Sequence, residues 1–325
     1  MRSKAHDRPE SGRCRVCGAR ELVPLSNLED GFSLVRCRGC SLVATFPPVQ
    51  EGEIGRYYPP SYYGEENRRF VAFLERLIPI FRGRRARAIQ RFVPKGRILD
   101  VGCGRGILPA LMRDRGWEAY GVEFSEIAAH HASKVMRLPV FVGDFVQSPY
   151  PADFFDVVVL WHALEHVSDP VAAIRKSHEI LRPGGLLVIA VPNFESLQAR
   201  MTGRHWFHLD VPRHYHHFGL SVLRRLLESN GFQVESVSHF SMEQNPYGWI
   251  QSLLNAMGFS KNLLYDALKN DKARTVANPL RKYPAQSALM MLALVGVIPL
   301  SFALFLLEVL VRRGATVEVY ARCVK

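Results

Sequence analysis

The stretch Ile98-Leu99-Asp100-Val101-Gly102-Cys103-Gly104-Arg105-Gly106 decides the fold. Apolar residues run into glycines at every second position, and a helical pattern, Leu108–Arg115, follows. Strand, glycine turn and helix in that order open a doubly wound sheet. Glycine is used there because the backbone must bend tightly and come close to a ligand. Position 107, where a dinucleotide fingerprint places its third glycine, is Ile107, which argues against a nicotinamide cofactor.

Downstream, apolar runs alternate with helical patterns. Ala119–Glu123, Val140–Val142, Asp156–Trp161, Leu186–Val191, Val234–His239 and Thr316–Cys323 read as strands. Ile127–Met136 reads as a helix. A second helix runs from Pro170 to about Leu181, with Asp169 as its N-cap. A third is expected from Ser221, as cap, to Asn230, with Gly231 ending it. Strand–helix alternation predicts an α/β fold: a doubly wound, mostly parallel, seven-stranded Rossmann-like sheet with helices on both faces.

Two acidic positions extend the glycine turn into a site. Glu123 ends the second strand, 23 residues after Asp100, where a carboxylate can accept from ribose hydroxyls. Gly143-Asp144-Phe145 follows the third strand, where Asp144 can accept from an adenine amino group and Phe145 can pack nearby. At this point the sequence resembles the class I S-adenosylmethionine-dependent methyltransferases, over roughly 95–240 and the last strand. The resemblance implies S-adenosylmethionine as cofactor. Gly102, Gly104 and Gly106 would line its methionine and ribose part, with Cys103 in the same turn. Asp100 would lie beneath the amino end, Glu123 would hold the ribose and Asp144 the adenine, with Phe124, Phe145 and Trp161 adjoining.

The fourth strand leads into Trp161-His162-Ala163-Leu164-Glu165-His166. Ligands in open α/β sheets sit at the carboxyl ends of the strands, so His166, His162 and Glu165 are the candidate catalytic residues, His166 first among them as base. The Leu-Glu-His segment is similar to that of ubiquinone-biosynthesis and sugar-modifying methyltransferases. It lacks the Asn/Asp-Pro-Pro-aromatic of amino-methylating relatives, which leaves oxygen, carbon and ring positions open. His205, His208, His214, His216 and His217 crowd the stretch after strand five. No zinc-like spacing stands out among them, and a substrate-covering loop is expected instead.

Cys14-x-x-Cys17 and Cys37-x-x-Cys40, 19 residues apart, predict one structural Zn2+ in a ribbon module over 1–46. Residues 47–95 read as a linker or lid (47–66) and an amphipathic helix from about Arg68 to Phe92. The methyltransferase domain is expected over 96–325, with an apolar helical insertion at about 245–313. Cys103 and Cys323 read as packing residues.

Ala285–Leu307 carries no charge and is long enough for a membrane span. Gly296 and Pro299 divide it, which suggests a bent helix or shallow hairpin. A strand after it must rejoin the sheet, and basic pairs flank it at Arg281-Lys282 and Arg312-Arg313. Contact with the membrane surface through 285–311 is therefore the expectation, and a buried or dimer-forming helix is the other reading. The N-terminus has no secretory h-region, so the expected location is cytoplasmic, peripheral or monotopic on the inner face.

A hydrophobic content of 48% excludes disorder of the whole chain. The net charge of +12 attracts nucleic acid, anionic lipid and anionic metabolites alike. Arginine clusters such as Arg82, Arg84, Arg85 and Arg87 read as solvated faces or anion sites. The function expected is methyl transfer to oxygen or carbon of a small-molecule, glycan or lipid-linked acceptor. The alternatives are an RNA methyltransferase gripping RNA with the zinc ribbon, and a non-catalytic assembly protein with the same fold.

Overall fold

In a computed structural model of the chain, residues 12–28, 31–49, 56–57, 70–269 and 282–325 are described. Most of the linker or lid expected over 47–66 lies outside them, as does Arg281. An N-terminal antiparallel ribbon has strands β1 (Leu22–Asn27), β2 (Ser33–Cys37) and β3 (Val43–Phe46). Helix α1 (Ala72–Gln90) follows, then β4 (Arg97–Val101), α2 (Ile107–Asp114), β5 (Glu118–Glu123), α3 (Glu126–His130), β6 (Val140–Val142), β7 (Phe155–Trp161), α4 (Pro170–Ile180) and β8 (Leu181–Pro192). The chain ends with α5 (Leu197–Thr202), β9 (His216–His217), α6 (Leu220–Glu228), β10 (Phe232–Ser238), α7 (Asn245–Ala256), α8 (Leu263–Leu268), α9 (Pro284–Leu310) and β11 (Thr316–Cys323).

The main sheet has the order β10-β11-β8-β7-β4-β5-β6. The pairs from β6 to β8 are parallel, and β11 runs antiparallel to both of its neighbours. Strand side chains alternate between faces, and both faces are covered. Ile98, Val157, Val159, Leu186 and Val188 pack with Ala86 and Ile89 of α1 and Met112 of α2. Leu99, Val158, Leu160, Leu187 and Ile189 pack on the other face with Ile174 of α4 and Leu223 of α6.

The ribbon is built onto that second face. Cys14, Cys37, Cys40 and Leu42 share its core, and β3 pairs with β9 through Val43–His217 and Ala44–His216. Arg225 of α6 donates to the Cys40 carbonyl at 2.6 Å. The second half of the segment expected as one helix over 127–136 widens into a π-helical turn, His131–Val135. Ser221 is not a cap: Gly219 precedes α6 as N-cap, and the Ser221 hydroxyl donates to Glu195 instead.

The apolar stretch is one continuous helix, neither a hairpin nor two pieces. Pro299 sits inside it, and α9 is long and apolar enough to cross a membrane by length and composition alone. One stripe, Met290, Val297, Ser301, Phe305 and Glu308, is buried. It lies against α7, where Trp249 Nε1 donates to Glu308 Oε2 at 2.9 Å. Leu292, Val295, Leu306 and Leu310 on the rest of the helix are exposed.

The glycine turn sets a test of the packing around it. Gly106 has φ +77°, and a Cβ there would come within 2.7 Å of Leu138 Cδ1 and 2.9 Å of Ala132 Cβ. Backbone strain and overpacking together should make Gly106→Ala less stable by about 2–4 kcal/mol. Thermal unfolding should then fall by roughly 5 °C or more. An unchanged midpoint would mean that the turn accepts a side chain.

Candidate functional site

At the carboxyl ends of β4 and β7 the strand order reverses, which opens a crevice. The Gly102 and Cys103 amides both donate to the Val122 carbonyl, at 2.8 and 3.0 Å, and pin the turn to β5. The Cys103 thiol packs toward Gly121 and lies 3.8 Å from the Gly104 carbonyl. Gly104 has φ +55° and open space where a Cβ would stand. Glu123 Oε2 accepts from the Gly104 amide at 2.8 Å, and Oε1 from the Ser125 amide at 2.9 Å. Burial raises the Glu123 pKa, and those backbone bonds oppose the rise. Each oxygen keeps a further lone pair for a ligand hydroxyl. Phe124, 70% exposed, stands beside this carboxylate. Asp144 caps a short turn through Oδ1, which accepts from the Val146 amide at 3.0 Å. Phe145 is buried in the core.

Beneath the crevice lies a buried ionic network that composition did not reveal. Burial pushes Asp100 up to about 6, against the pull of Arg85 and Arg82. Arg85 is itself buried, with its guanidinium 3.6 Å from the centroid of the Trp161 ring. Arg82 and Arg85 pair with Glu243 at 2.8 and 3.3 Å, and Arg84 with Glu318 at 3.0 Å. Arg82, Arg84 and Arg85 of α1 are thus ion-paired rather than a solvated face, while Arg87 of the same cluster is exposed. Their carboxylates come from 158 or more residues further along the chain, so no local spacing could announce them.

The segment after β7 carries the reactive side chains. His162 has φ +52°, a conformation that side chains rarely adopt. Its Nδ1 lies 3.1 Å from Glu165 Oε1. Burial disfavours the Glu165 carboxylate, but His162, His166 and His214 outweigh it and hold the pKa at about 2. His166 Nδ1 lies 3.0 Å from the Arg213 carbonyl, and its ring meets the His214 ring edge-on at 4.6 Å. His214 Nδ1 in turn lies 2.9 Å from the His208 carbonyl. Asp210 is held by Arg213 through Nε at 3.0 and 3.1 Å. The histidine-rich loop is therefore packed into the crevice wall. His214 is a site residue that sequence spacing missed, although the density of histidines over 205–217 pointed to the loop.

The four ribbon cysteines come together as expected. Cys14 and Cys40 Sγ are 3.4 Å apart, and Cys17 and Cys37 Sγ 3.5 Å. Burial raises the Cys14 thiol to about 11, against backbone bonds from Cys17 and Val16 that favour the thiolate. A Cβ on Gly39 would come within 3.1 Å of Ala19 Cβ and 3.4 Å of Cys17 Sγ, so a side chain there would crowd the knuckle. The ribbon also fixes the histidine loop: Thr45 Oγ1 donates to the His214 carbonyl at 2.6 Å and lies 3.0 Å from His217 Nε2.

Burial pushes His214 and His216 down to about 4, and His208 and His217 to about 3. These rings stay neutral in the fold, whereas in the unfolded chain they protonate near ~6.5. Below that pH the unfolded state binds more protons, so stability is lost as pH falls from about 6.5 toward 4. The unfolding midpoint should drop steeply over that window, and repeating the scan after chelation separates ring protonation from loss of bound metal. A flat profile would contradict the neutral rings.

A family model described as a methyltransferase domain matches residues 70–237, just over half of the 325-residue chain. A Mycolicibacterium smegmatis protein named "Probable S-adenosylmethionine-dependent methyltransferase" is 30% identical over 142 residues, 42% of this chain and 52% of that protein. The chain thus spans about half the length of that relative. The ubiquinone biosynthesis O-methyltransferase of Cereibacter sphaeroides is 29% identical over 168 residues, 48% of this chain and 67% of that enzyme. A solved S-adenosylmethionine-dependent methyltransferase from Archaeoglobus fulgidus is similar at a TM-score of 0.47 and 18% identity, covering 78% of this chain and 99% of that one. The family match runs from α1 through the glycine turn and the His162–His166 segment to β10, and by it the chain belongs to the S-adenosylmethionine-dependent methyltransferase family.

Proposed function

We propose that the protein moves a methyl group from S-adenosylmethionine to an oxygen of a small, apolar or lipid-linked acceptor. The observation that carries this reading is the pair of half-buried His162 and buried Glu165 beside the glycine turn, where the Ala163 Cβ is 3.3 Å from the place of a Cβ on Gly102. The crevice fits the cofactor: open space over Gly104, Glu123 with spare lone pairs, and an exposed aromatic ring at Phe124. Bound there, the cofactor supplies a methyl on a positively charged sulfur, which leaves as a neutral thioether. Glu165 accepts from His162 Nδ1 and so sets the lone pair of that ring on Nε2. Nε2 then takes the hydroxyl proton of the acceptor while the freed oxygen lone pair forms the new C–O bond. His162 is favoured over His166 for this task, because its Nδ1 faces a carboxylate that would steady the imidazolium formed, whereas His166 Nδ1 faces the neutral Arg213 carbonyl. Oxygen is favoured over carbon by the named activity of the C. sphaeroides relative.

The four ribbon thiols are proposed to hold one zinc ion, which four protein ligands would make structural. The exposed side of α9, flanked by Arg312 and Arg313, is proposed to rest on an anionic membrane surface near such an acceptor. On this reading the chain floats with vesicles containing phosphatidylglycerol, and Leu292→Asp with Val295→Asp abolishes flotation. Equal flotation of the variant would remove the membrane from the proposal.

Methyl-labelled cofactor and a cell lysate test the acceptor class. Label should enter the organic-extractable fraction, and label in RNA would replace this acceptor with nucleic acid. Glu123→Ala should weaken cofactor binding by roughly 10–100-fold in calorimetry, the worth of lost charge-assisted hydrogen bonds. His162→Ala should lower turnover by about 10²–10⁴ with cofactor affinity kept. Unchanged turnover would remove the base.

A further inference from the structure

Glu165, His166 and His214 bring one ligand atom each to within 4.8 Å of one another. Three details make this more than a polar cluster. First, both rings present Nδ1 to a backbone carbonyl, Arg213 for His166 and His208 for His214. A carbonyl only accepts, so the proton sits on Nδ1 and each neutral ring carries its lone pair on Nε2. Metal-bound histidines are commonly oriented in this way. Second, Glu165 is 1% exposed, and its Oε2 is buried with no hydrogen-bond partner among the described residues. Oε1 is used by His162, whose own buried Nε2 likewise has none among them. A buried, ionised oxygen needs a partner to offset its lost hydration. Third, the three groups that converge there are all of the kind that donate a lone pair to a metal ion.

We infer that Glu165, His166 and His214 form a second metal site, for a divalent ion of the zinc, cobalt or manganese type. Two imidazoles and one carboxylate suit these ions rather than magnesium or calcium, and three protein ligands leave a coordination position open. Ligands ~2.1 Å from one ion lie about 3–3.5 Å apart, so the three side chains need to close by roughly 1 Å. The site lies on the segment after β7, beside the proposed base. An acceptor hydroxyl in the open position would be held against His162 and made more acidic. Only that role rests on the methyl-transfer reading; the binding of the ion does not.

The full-length protein with zinc in the ribbon is titrated with Mn2+ and the free ion followed by electron paramagnetic resonance. One Mn2+ should bind per chain beyond the thiolate-held zinc, and Glu165→Gln and His214→Ala should each weaken it at least tenfold. Cofactor affinity by calorimetry checks that each variant is folded. If the variants do not fold, Co2+ added to the zinc-loaded wild type decides: weak visible bands of a nitrogen and oxygen site support the inference. Neither ion binding beyond the thiolate site, or equal binding to folded His214→Ala, would overturn it. Loss of cofactor binding with the second metal retained would instead sink the methyl-transfer reading alone.

Discussion

Strands β4 and β7 lie side by side and parallel, yet the chain leaves them toward opposite edges of the sheet. That reversal is the constraint on which the site depends. A helix can cover each face, but nothing in the βαβ winding can cover the gap above the two strand ends. The glycine turn fills one side of the gap and the His162–His166 segment the other. Both present backbone and polar groups where the sheet itself offers none.

Filling the gap with charge has consequences for the rest of the chain. Glu165 and Asp100 are both nearly excluded from water, and a buried charge must be paired. Asp100 is answered by arginines of α1, which are in turn held by Glu243 and Glu318. Glu165 is answered by His162, and a loop after β8 brings His214 beside it. That loop needs fixing, and β3 of the cysteine ribbon does so through Thr45 and the β3–β9 pairing. The ribbon is therefore part of the crevice wall, not an appended module. Its placement is tied to the position of His214.

The same logic applies to α9. A helix apolar on every side could lie in a core or a bilayer. Here Glu308 marks one stripe as protein-facing, because its carboxylate is bonded to Trp249 and the Ala315 amide. β11 begins six residues after the helix ends and pairs at once with β8, so the helix runs alongside the domain. The opposite stripe keeps its leucines and valines exposed.

Local physics was enough for much of this protein. The short continuous apolar runs of β4, β7 and β8, the glycines at 102, 104 and 106 and the Asp169-Pro170 helix start each act within a few residues, so they are legible in the chain. The same holds for the two Cys-x-x-Cys pairs, whose knuckles are local turns. For 284–310 the sequence left a bent helix and a shallow hairpin both open, because Gly296 and Pro299 divide the stretch; packing on α7 accompanies the single helix that forms. The contact of Ser221 was not legible, because its hydroxyl found Glu195 instead of its own helix. The meeting of His166 with His214, the burial of Arg85 against Trp161 and the docking of β3 on β9 were decided by tertiary structure alone. Each joins residues whose separation is set by how many elements lie between them. Separation of that kind leaves no periodicity in the sequence, and only the closing of the sheet turns it into contact.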